Sequence, residues 1–189
     1  MKSAAVLFAL SLAPAWAQLP RPPAAASVAA PPAAVTPTEK SRVPRQVLSD
    51  LERHLDTKLA SLGGANDPVD LLGDARGIYL DGYGAVFTVE LSPIITPGLN
   101  PFHTVMSDAE KAKVRQRKLD RLPMLKQLIR DVWRDSATAL TSIPDNQQVV
   151  IAVRLLYLPW EDTQGLPGEI VLKGDRGAAA TGALQTEEQ

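Results

Sequence analysis

The 189-residue chain contains no cysteine, which excludes structural disulfides, thiol catalysis and metal centres with cysteine ligands. It also lacks the N-terminal cysteine to which a lipid is attached in exported lipoproteins. His54 and His103 are its two histidines, and neither has a carboxylate or a second histidine at the spacing of metal ligands. The sequence therefore predicts no metal site and no cofactor.

The chain has no strong excess of either charge, since 20 basic and 21 acidic residues give a net charge of −1. This balance favours no polyanionic partner, and nucleic acid is not an expected ligand. Its two dense apolar runs, residues 4–13 and 149–158, each hold about ten residues, whereas a membrane-spanning helix needs about twenty. We therefore expect no transmembrane segment.

The N-terminal residues have the layout of a secretory signal peptide. Lys2 precedes the first apolar run, Pro14 follows it, and Ala15-Trp16-Ala17 supplies the small residues of a cleavage site. We expect cleavage after Ala17, which predicts an exported protein that is periplasmic or secreted.

Composition divides the remainder of the chain into three parts. Residues 18–43 consist largely of Ala, Pro, Ser, Thr and Val, which bury too little surface to offset the entropy of ordering, so we predict a disordered linker. Residues 44–176 are predicted to form a single domain of ordinary size. Residues 177–189, rich in Ala, Gly and Glu, are predicted to be a disordered tail.

Periodicity predicts two helices and four strands in this domain. A leucine stripe predicts a helix over residues 44–62, and a capping box at Ser107–Glu110 begins a second helix that can run to about residue 142. Asp81-Gly82 is typical of the turn of a hairpin within residues 77–91. Residues 149–158 would place apolar side chains on both faces of a strand, as in the centre of a sheet. Residues 168–173 are predicted to form a last short strand.

The order αββαββ predicts an α+β fold. We expect a two-layer sandwich in which about four mostly antiparallel strands, arranged as two hairpins, carry both helices on one face. Arg154 is the charged residue of the central strand, and we expect it to pair with Glu90 or Glu169 on a neighbouring strand.

Two segments of the chain resemble a known group of proteins. Residues 77–88 (GIYLDGYGAVFT) and 156–162 (LYLPWED), the latter followed by Gly165-Leu166-Pro167, resemble segments of uncharacterised exported bacterial proteins. The resemblance covers the two predicted hairpins and implies export and the domain assignment. That group has no established activity, so the resemblance implies no catalytic residue.

The strongest local anomaly is a basic segment at the start of the second helix. Its six cations project from the same side of the helix as the apolar residues that follow residue 122. If that side were buried along the whole helix, these positions would need apolar side chains. Pro123 also removes a backbone hydrogen bond, so we expect residues 108–121 to kink away from the domain and stand in solvent. The predicted binding residues are Lys111, Lys113, Arg115, Arg117, Lys118 and Arg121.

Two function classes are compatible with these features. The leading interpretation is a non-enzymatic domain that binds an anionic envelope component or an acidic protein through the basic helix and the apolar loop Ser92–Met106. A solvated helix face would produce the same charge run. The alternative is a small hydrolase of envelope glycan or peptide, in which Asp81, Glu161 and Asp162 supply a carboxylate pair. Ordinary turns would also place acidic residues there.

Overall fold

The structure is a computed structural model, and it describes residues 43–64, 67–96, 98, 105–181 and 183–189. The predicted signal peptide, residues 18–42 of the predicted linker and His103 lie outside the described residues. All described residues belong to one unit, residues 38–189.

Helix α1 (Arg45–Ser61) follows the predicted leucine stripe. Gly63 comes after it with a φ of +92°, a left-handed conformation that glycine adopts without steric cost and that ends the helix. The helix is held to the rest of the domain by its buried leucines, which are Leu48, Leu51, Leu55 and Leu59.

Helix α2 (Asp108–Ala139) begins at the predicted capping box. The Oγ of Ser107 accepts a hydrogen bond from the backbone amide of Glu110 over 3.3 Å, and the Glu110 carboxylate accepts one from the Ser107 amide over 2.9 Å. Pro123 lies inside the helix without ending it. The second half is buried on the domain as predicted, through Leu125, Ile129, Val132 and Trp133.

Six strands form one mixed sheet. They are β1 (Asp70–Leu71), β2 (Arg76–Leu80), β3 (Gly84–Ser92), β4 (Gln148–Leu155), β5 (Glu169–Asp175) and β6 (Gln185–Glu188). Strand β3 pairs antiparallel with β1 and β2 and parallel with β4, while β5 lies antiparallel between β4 and β6. The predicted α+β class is confirmed, with six strands where the sequence predicted about four.

The parallel pairing of β3 with β4 follows from the long connection between them, because parallel strands need a crossover that a tight turn cannot supply. Helix α2 lies in this connection. Gly84 pairs with Gln148 and Leu91 with Leu155, so both strands begin at one end of the sheet and finish at the other. The turn before β3 and the loop after β4 therefore lie at opposite ends.

One face of the sheet forms the core with both helices. Alternate residues of β3 and β4, such as Phe87, Leu91 and Ile151, are buried in the same cluster as the leucines of α1 and the apolar face of α2. The indole nitrogen of Trp133 donates a hydrogen bond to the carbonyl of Val149 over 2.7 Å. No described helix lies over the opposite face, which we call the uncovered face.

The C-terminal residues differ from the predicted disordered tail. A 3₁₀ turn (Arg176–Ala179) leads to β6, which pairs with β5 from Ile170 to Lys173. Leu184 packs against the core, so the domain continues beyond the predicted boundary at residue 176. The composition of β6 gives little strand propensity, and the ladder bonds offered by the edge of β5 supply the stabilisation instead.

Candidate functional site

The predicted basic segment does not stand off the domain. Lys118 and Arg121 are buried, Lys111, Arg115 and Arg117 are half-buried, and Lys113 is exposed. The expectation of a solvated helix over residues 108–121 is therefore wrong for most of these cations. The physical reason is that acidic residues from two distant loops meet this side of the helix.

Asp67, in the link between α1 and β1, forms ion pairs with Arg117 and Arg121. Its Oδ2 lies 2.6 Å from Nη2 of Arg121, and its Oδ1 lies 2.6 Å from Nη2 of Arg117. Arg121 also donates hydrogen bonds to the backbone carbonyls of Leu62 over 3.2 Å and Asp67 over 3.0 Å. These contacts satisfy a buried guanidinium and fasten the link to α2.

Lys118 forms a second, more deeply buried cluster. Its Nζ lies 2.5 Å from Oε2 of Glu161, and the two side chains are 0% and 2% exposed. The ring centroid of Tyr157 lies 4.8 Å from the same nitrogen, close enough for a cation–π contact. Burial lowers the pKa of Lys118 below its usual value despite the adjacent carboxylate. Burial, with the charge of Glu161, raises the pKa of Tyr157 to about 12.

The carboxylates of the hydrolase hypothesis do not converge. Glu161 is committed to Lys118, and Asp162 lies 3.6 Å from Nε of Arg115. Asp81 lies in the turn before β3, at the other end of the sheet from the loop that follows β4. Seven residue steps along these strands span about 23 Å, well beyond the roughly 10 Å over which a glycosidase pair acts. The predicted pairing of Asp81 with Glu161 or Asp162 is therefore wrong.

A cavity of about 310 Å³ lies where β3 and β4 end. Its polar lining includes Asp70, Ser92, Thr96 and Glu161. Ser92 donates its hydroxyl hydrogen to the carbonyl of Ile94 over 2.9 Å, and Glu161 is neutralised by Lys118. The cavity has hydroxyl and carboxylate groups for binding, but its described residues form no hydrogen-bonded nucleophile and base.

The part of the uncovered face formed by β2, β3 and β4 near the start of β3 is apolar, and the charged Lys173 of β5 lies beside it in the same register row. Ile78 of β2, Val86 of β3 and Val150 of β4 stand side by side in the register of the sheet, and Leu80 and Tyr83 continue this surface at the start of β3. Ile78, Leu80 and Tyr83 are large apolar side chains exposed to solvent. We call these five residues the apolar half.

The other half of the uncovered face is charged. Glu90, Arg154 and Glu169 lie in one register row across β3, β4 and β5. Nη1 of Arg154 lies 3.3 Å from Oε1 of Glu90, which confirms the pairing expected for this strand. With Asp74 and Arg76 they border a groove of about 530 Å³, and these five residues are the charged half.

The outer edge of β2 is closed by side chains of α1. The amide of Gly77 donates to Oε1 of Glu52 over 2.6 Å, and the amide of Ala75 donates to Oδ1 of Asp56 over 2.9 Å. Arg45 donates to the carbonyl of Gly77 over 2.9 Å. A partner strand cannot add here without displacing them. Sequence analysis missed this function of Glu52, which lies off the leucine stripe but is buried.

A further groove of about 580 Å³ lies between α1 and α2, where Leu62, Met124 and Leu128 border it. No group of three His, Cys, Asp or Glu in this part of the chain can hold a metal ion. Nε2 of His54 lies 3.1 Å from Oδ2 of Asp135 at a solvent-accessible position. None of the described helices is long and apolar enough to cross a membrane.

Comparison of the chain with protein-family models, with curated proteins and with solved structures finds no match in any of the three.

Proposed function

We propose that this chain is an exported, non-enzymatic binding domain of the cell envelope and that the uncovered face of its sheet is the contact surface. The observation that carries the proposal is the exposure of Ile78, Leu80 and Tyr83 together on this face. Contiguous exposed apolar surface bordered by charges is typical of protein interaction sites. The signal-peptide layout of residues 1–17 supports export.

The basic helix is a weaker contact surface than its sequence suggests. Asp67, Glu161 and Asp162 already neutralise four of its cations, and Lys111 lies 3.6 Å from Asp108. An anionic partner would have to compete with these internal carboxylates. The mixed charges of the charged half instead suit a protein partner that presents an apolar segment flanked by charges of both signs.

Site-specific photocrosslinking in the cells that make the protein tests this proposal. A photoreactive residue is placed singly at Ile78 on the uncovered face, at Lys113 on the basic helix and at Met124 as a control. Ile78 and Met124 are matched in exposure, at 55% and 52%. We expect a discrete crosslinked species from position 78 that is lost when Leu80→Asp is added.

The other outcomes separate the alternatives. A species formed only from position 113 would favour the basic helix, and equal labelling at all three positions would overturn a specific contact. Export is tested by N-terminal sequencing of the protein recovered from periplasmic and culture fractions, where we expect a chain that begins at Gln18.

A further inference from the structure

We propose that the edge of β5 is a binding site for an extended segment of a partner protein and that β6 is the segment of this chain that occupies it. The partner segment carries an apolar residue followed, three and four positions later, by two carboxylates, as Leu184, Glu187 and Glu188 do in this chain. The charged side chains that contact this segment, Lys126 and Lys173, belong to neither half of the uncovered face, so the two binding sites can be tested separately.

Backbone pairing holds β6 against β5. The register runs from Ile170 with Glu188 to Lys173 with Gln185. Such bonds involve no side chain, so any extended segment that lacks proline can form them. The four residues of β6 are all exposed, which means that their own side chains add little burial. The ladder therefore supplies affinity without selecting β6 by its sequence.

The space beside Gly174 accommodates the apolar residue of the segment. A Cβ added to Gly174 would lie 2.9 Å from Cδ2 of Leu184 and 3.0 Å from Cζ2 of Trp133. The glycine therefore leaves room for Leu184 to pack against the core. An apolar side chain of a partner segment would find the same space once β6 had left it.

Two lysines recognise the carboxylates of the segment, one on each face of the sheet. Nζ of Lys126, on α2, lies 2.7 Å from Oε1 of Glu188. Nζ of Lys173, on β5, lies 2.5 Å from Oε1 of Glu187. Because successive side chains of a strand point to opposite faces, this arrangement of lysines selects two adjacent acidic residues.

The contacts of β6 can be exchanged for those of another segment. Both ion pairs are partly exposed to solvent, and such pairs contribute little to stability. β6 is nevertheless favoured over a free segment with the same contacts, because its attachment to the domain gives it an effective concentration on the order of millimolar. A partner segment must therefore add contacts, such as an apolar side chain in place of the exposed Thr186, which pairs with the buried Leu172.

Binding of a labelled peptide to the full chain tests this site. The probe is a fluorescent synthetic peptide of residues 183–189 (ALQTEEQ), and its binding is measured by fluorescence anisotropy. In the full chain, Glu187→Lys with Glu188→Lys places cations opposite Lys173 and Lys126 and weakens β6, whereas β5 is unchanged. We expect this double lysine variant to bind the peptide at least about tenfold more tightly than the unaltered chain, because the competing strand is weakened.

Three comparisons establish that the lysines select the peptide. Asp50→Lys with Asp131→Lys is the matched control, because each substitution alters an exposed ion pair away from β5, and it should leave peptide binding unchanged. A peptide with lysine at both glutamate positions should not bind the double lysine variant. Adding Lys126→Glu and Lys173→Glu to that variant should favour its own β6 again and return peptide binding to the level of the unaltered chain.

The remaining outcomes decide between displacement by a partner and its alternatives. Unchanged methyl shifts of Ile129 and Ile151 establish that the variants keep their core. A folded double lysine variant that does not bind the peptide would overturn the site, as would equal binding of the glutamate and lysine peptides. A peptide that carries Thr186→Val should bind more tightly than the probe, and weaker binding would overturn displacement. Sedimentation velocity of the unaltered chain identifies a second source of the strand, since a dimer that dissociates in the double lysine variant would assign the edge to β6 of another copy.

Discussion

The ammonium nitrogen of Lys118 on α2 lies 2.5 Å from Oε2 of Glu161 in the loop after β4. The other carboxylate oxygen of Glu161 accepts a hydrogen bond from the Leu158 amide over 3.2 Å. The pair therefore joins the first half of α2 to the end of the central strand. Burying the two charges is costly because both leave water, and their mutual attraction offsets that cost. Loss of either side chain leaves the other charge buried without a counter-charge, which destabilises the folded protein.

The Glu161→Gln variant tests this account. It leaves a buried ammonium without its counter-charge, and we expect the free energy of unfolding to fall by about 3–5 kcal/mol. The double variant Lys118→Met with Glu161→Gln removes both charges and should recover most of the loss. Urea denaturation measures both. The control is Asp131→Asn, which breaks a half-exposed pair with Arg134 and should lower the free energy of unfolding by no more than about 1 kcal/mol. Equal losses in Glu161→Gln and Asp131→Asn would contradict the account.

Tyr157 makes stability depend on pH in the alkaline range. Its pKa is raised from 10.0 to about 12 in the folded protein, so between these values the folded state keeps a proton that the unfolded state loses. The stabilisation is fully present below pH 10 and is lost as the pH rises toward 12. The lowered pKa of Lys118 has the opposite effect, because it makes the folded state more stable as the pH rises. This effect is present in a Tyr157→Phe variant as well.

We therefore expect the free energy of unfolding of the unaltered chain to fall relative to that of Tyr157→Phe as the pH is raised above 10. The variant also loses the hydrogen bond from the Tyr157 hydroxyl to the carbonyl of Pro167 at 2.6 Å, a constant offset of about 1 kcal/mol at lower pH. Absorbance titration of tyrosinate checks the same proton directly. Parallel stability curves for the two proteins would show that Tyr157 titrates normally.

The sequence predicted local features well and long-range pairing poorly. The leucine stripe of α1 and the capping box at Ser107 depend on neighbouring residues, and both are confirmed. The burial of Arg121 and Lys118 depends on Asp67 and Glu161, which lie 54 and 43 positions away. No periodicity within α2 reveals these partners, so the sequence predicted that the same cations are exposed to solvent.

The candidate site shows the same division. The pairing of Arg154 with Glu90 was predictable, because side chains of opposite charge on the same face of neighbouring strands attract each other. The separation of Asp81 from Glu161 was not, because it follows from the parallel alignment of β3 with β4. The tail was misjudged because the stability of β6 comes from the edge of β5 and not from its own residues.

Gly82, in the turn between β2 and β3, and Gly84, the first residue of β3, provide a matched test of the parallel pairing. Gly84 has a φ of +137°, and a Cβ added there would lie 1.9 Å from the carbonyl oxygen of Gln148. Gly82 has a φ of +79° and open space around that position. Gly82→Ala should cost about 1–2 kcal/mol for the left-handed backbone alone.

Gly84→Ala should cost about 1–3 kcal/mol for the backbone and about 1–3 kcal/mol more for the overlap with β4. Thermal or chemical unfolding of the two variants measures the difference. Equal destabilisation would mean that β4 does not approach Gly84, and the alignment of β3 with β4 would then be incorrect.

Glu52 controls whether the edge of β2 is available to another strand. Its carboxylate accepts the hydrogen bond of the Gly77 amide and pairs with Arg45, so Glu52→Ala leaves that amide without its acceptor and removes the ion pair. We expect a loss of about 1–3 kcal/mol in the free energy of unfolding and, because an exposed strand edge pairs with other edges, a concentration-dependent shift to larger species. Sedimentation velocity at increasing protein concentration detects that shift. Asp50→Ala, on the exposed side of the same helix, is the control and should leave the mass distribution unchanged. A destabilised Glu52→Ala chain with an unchanged mass distribution would show that α1 supports β2 without protecting its edge.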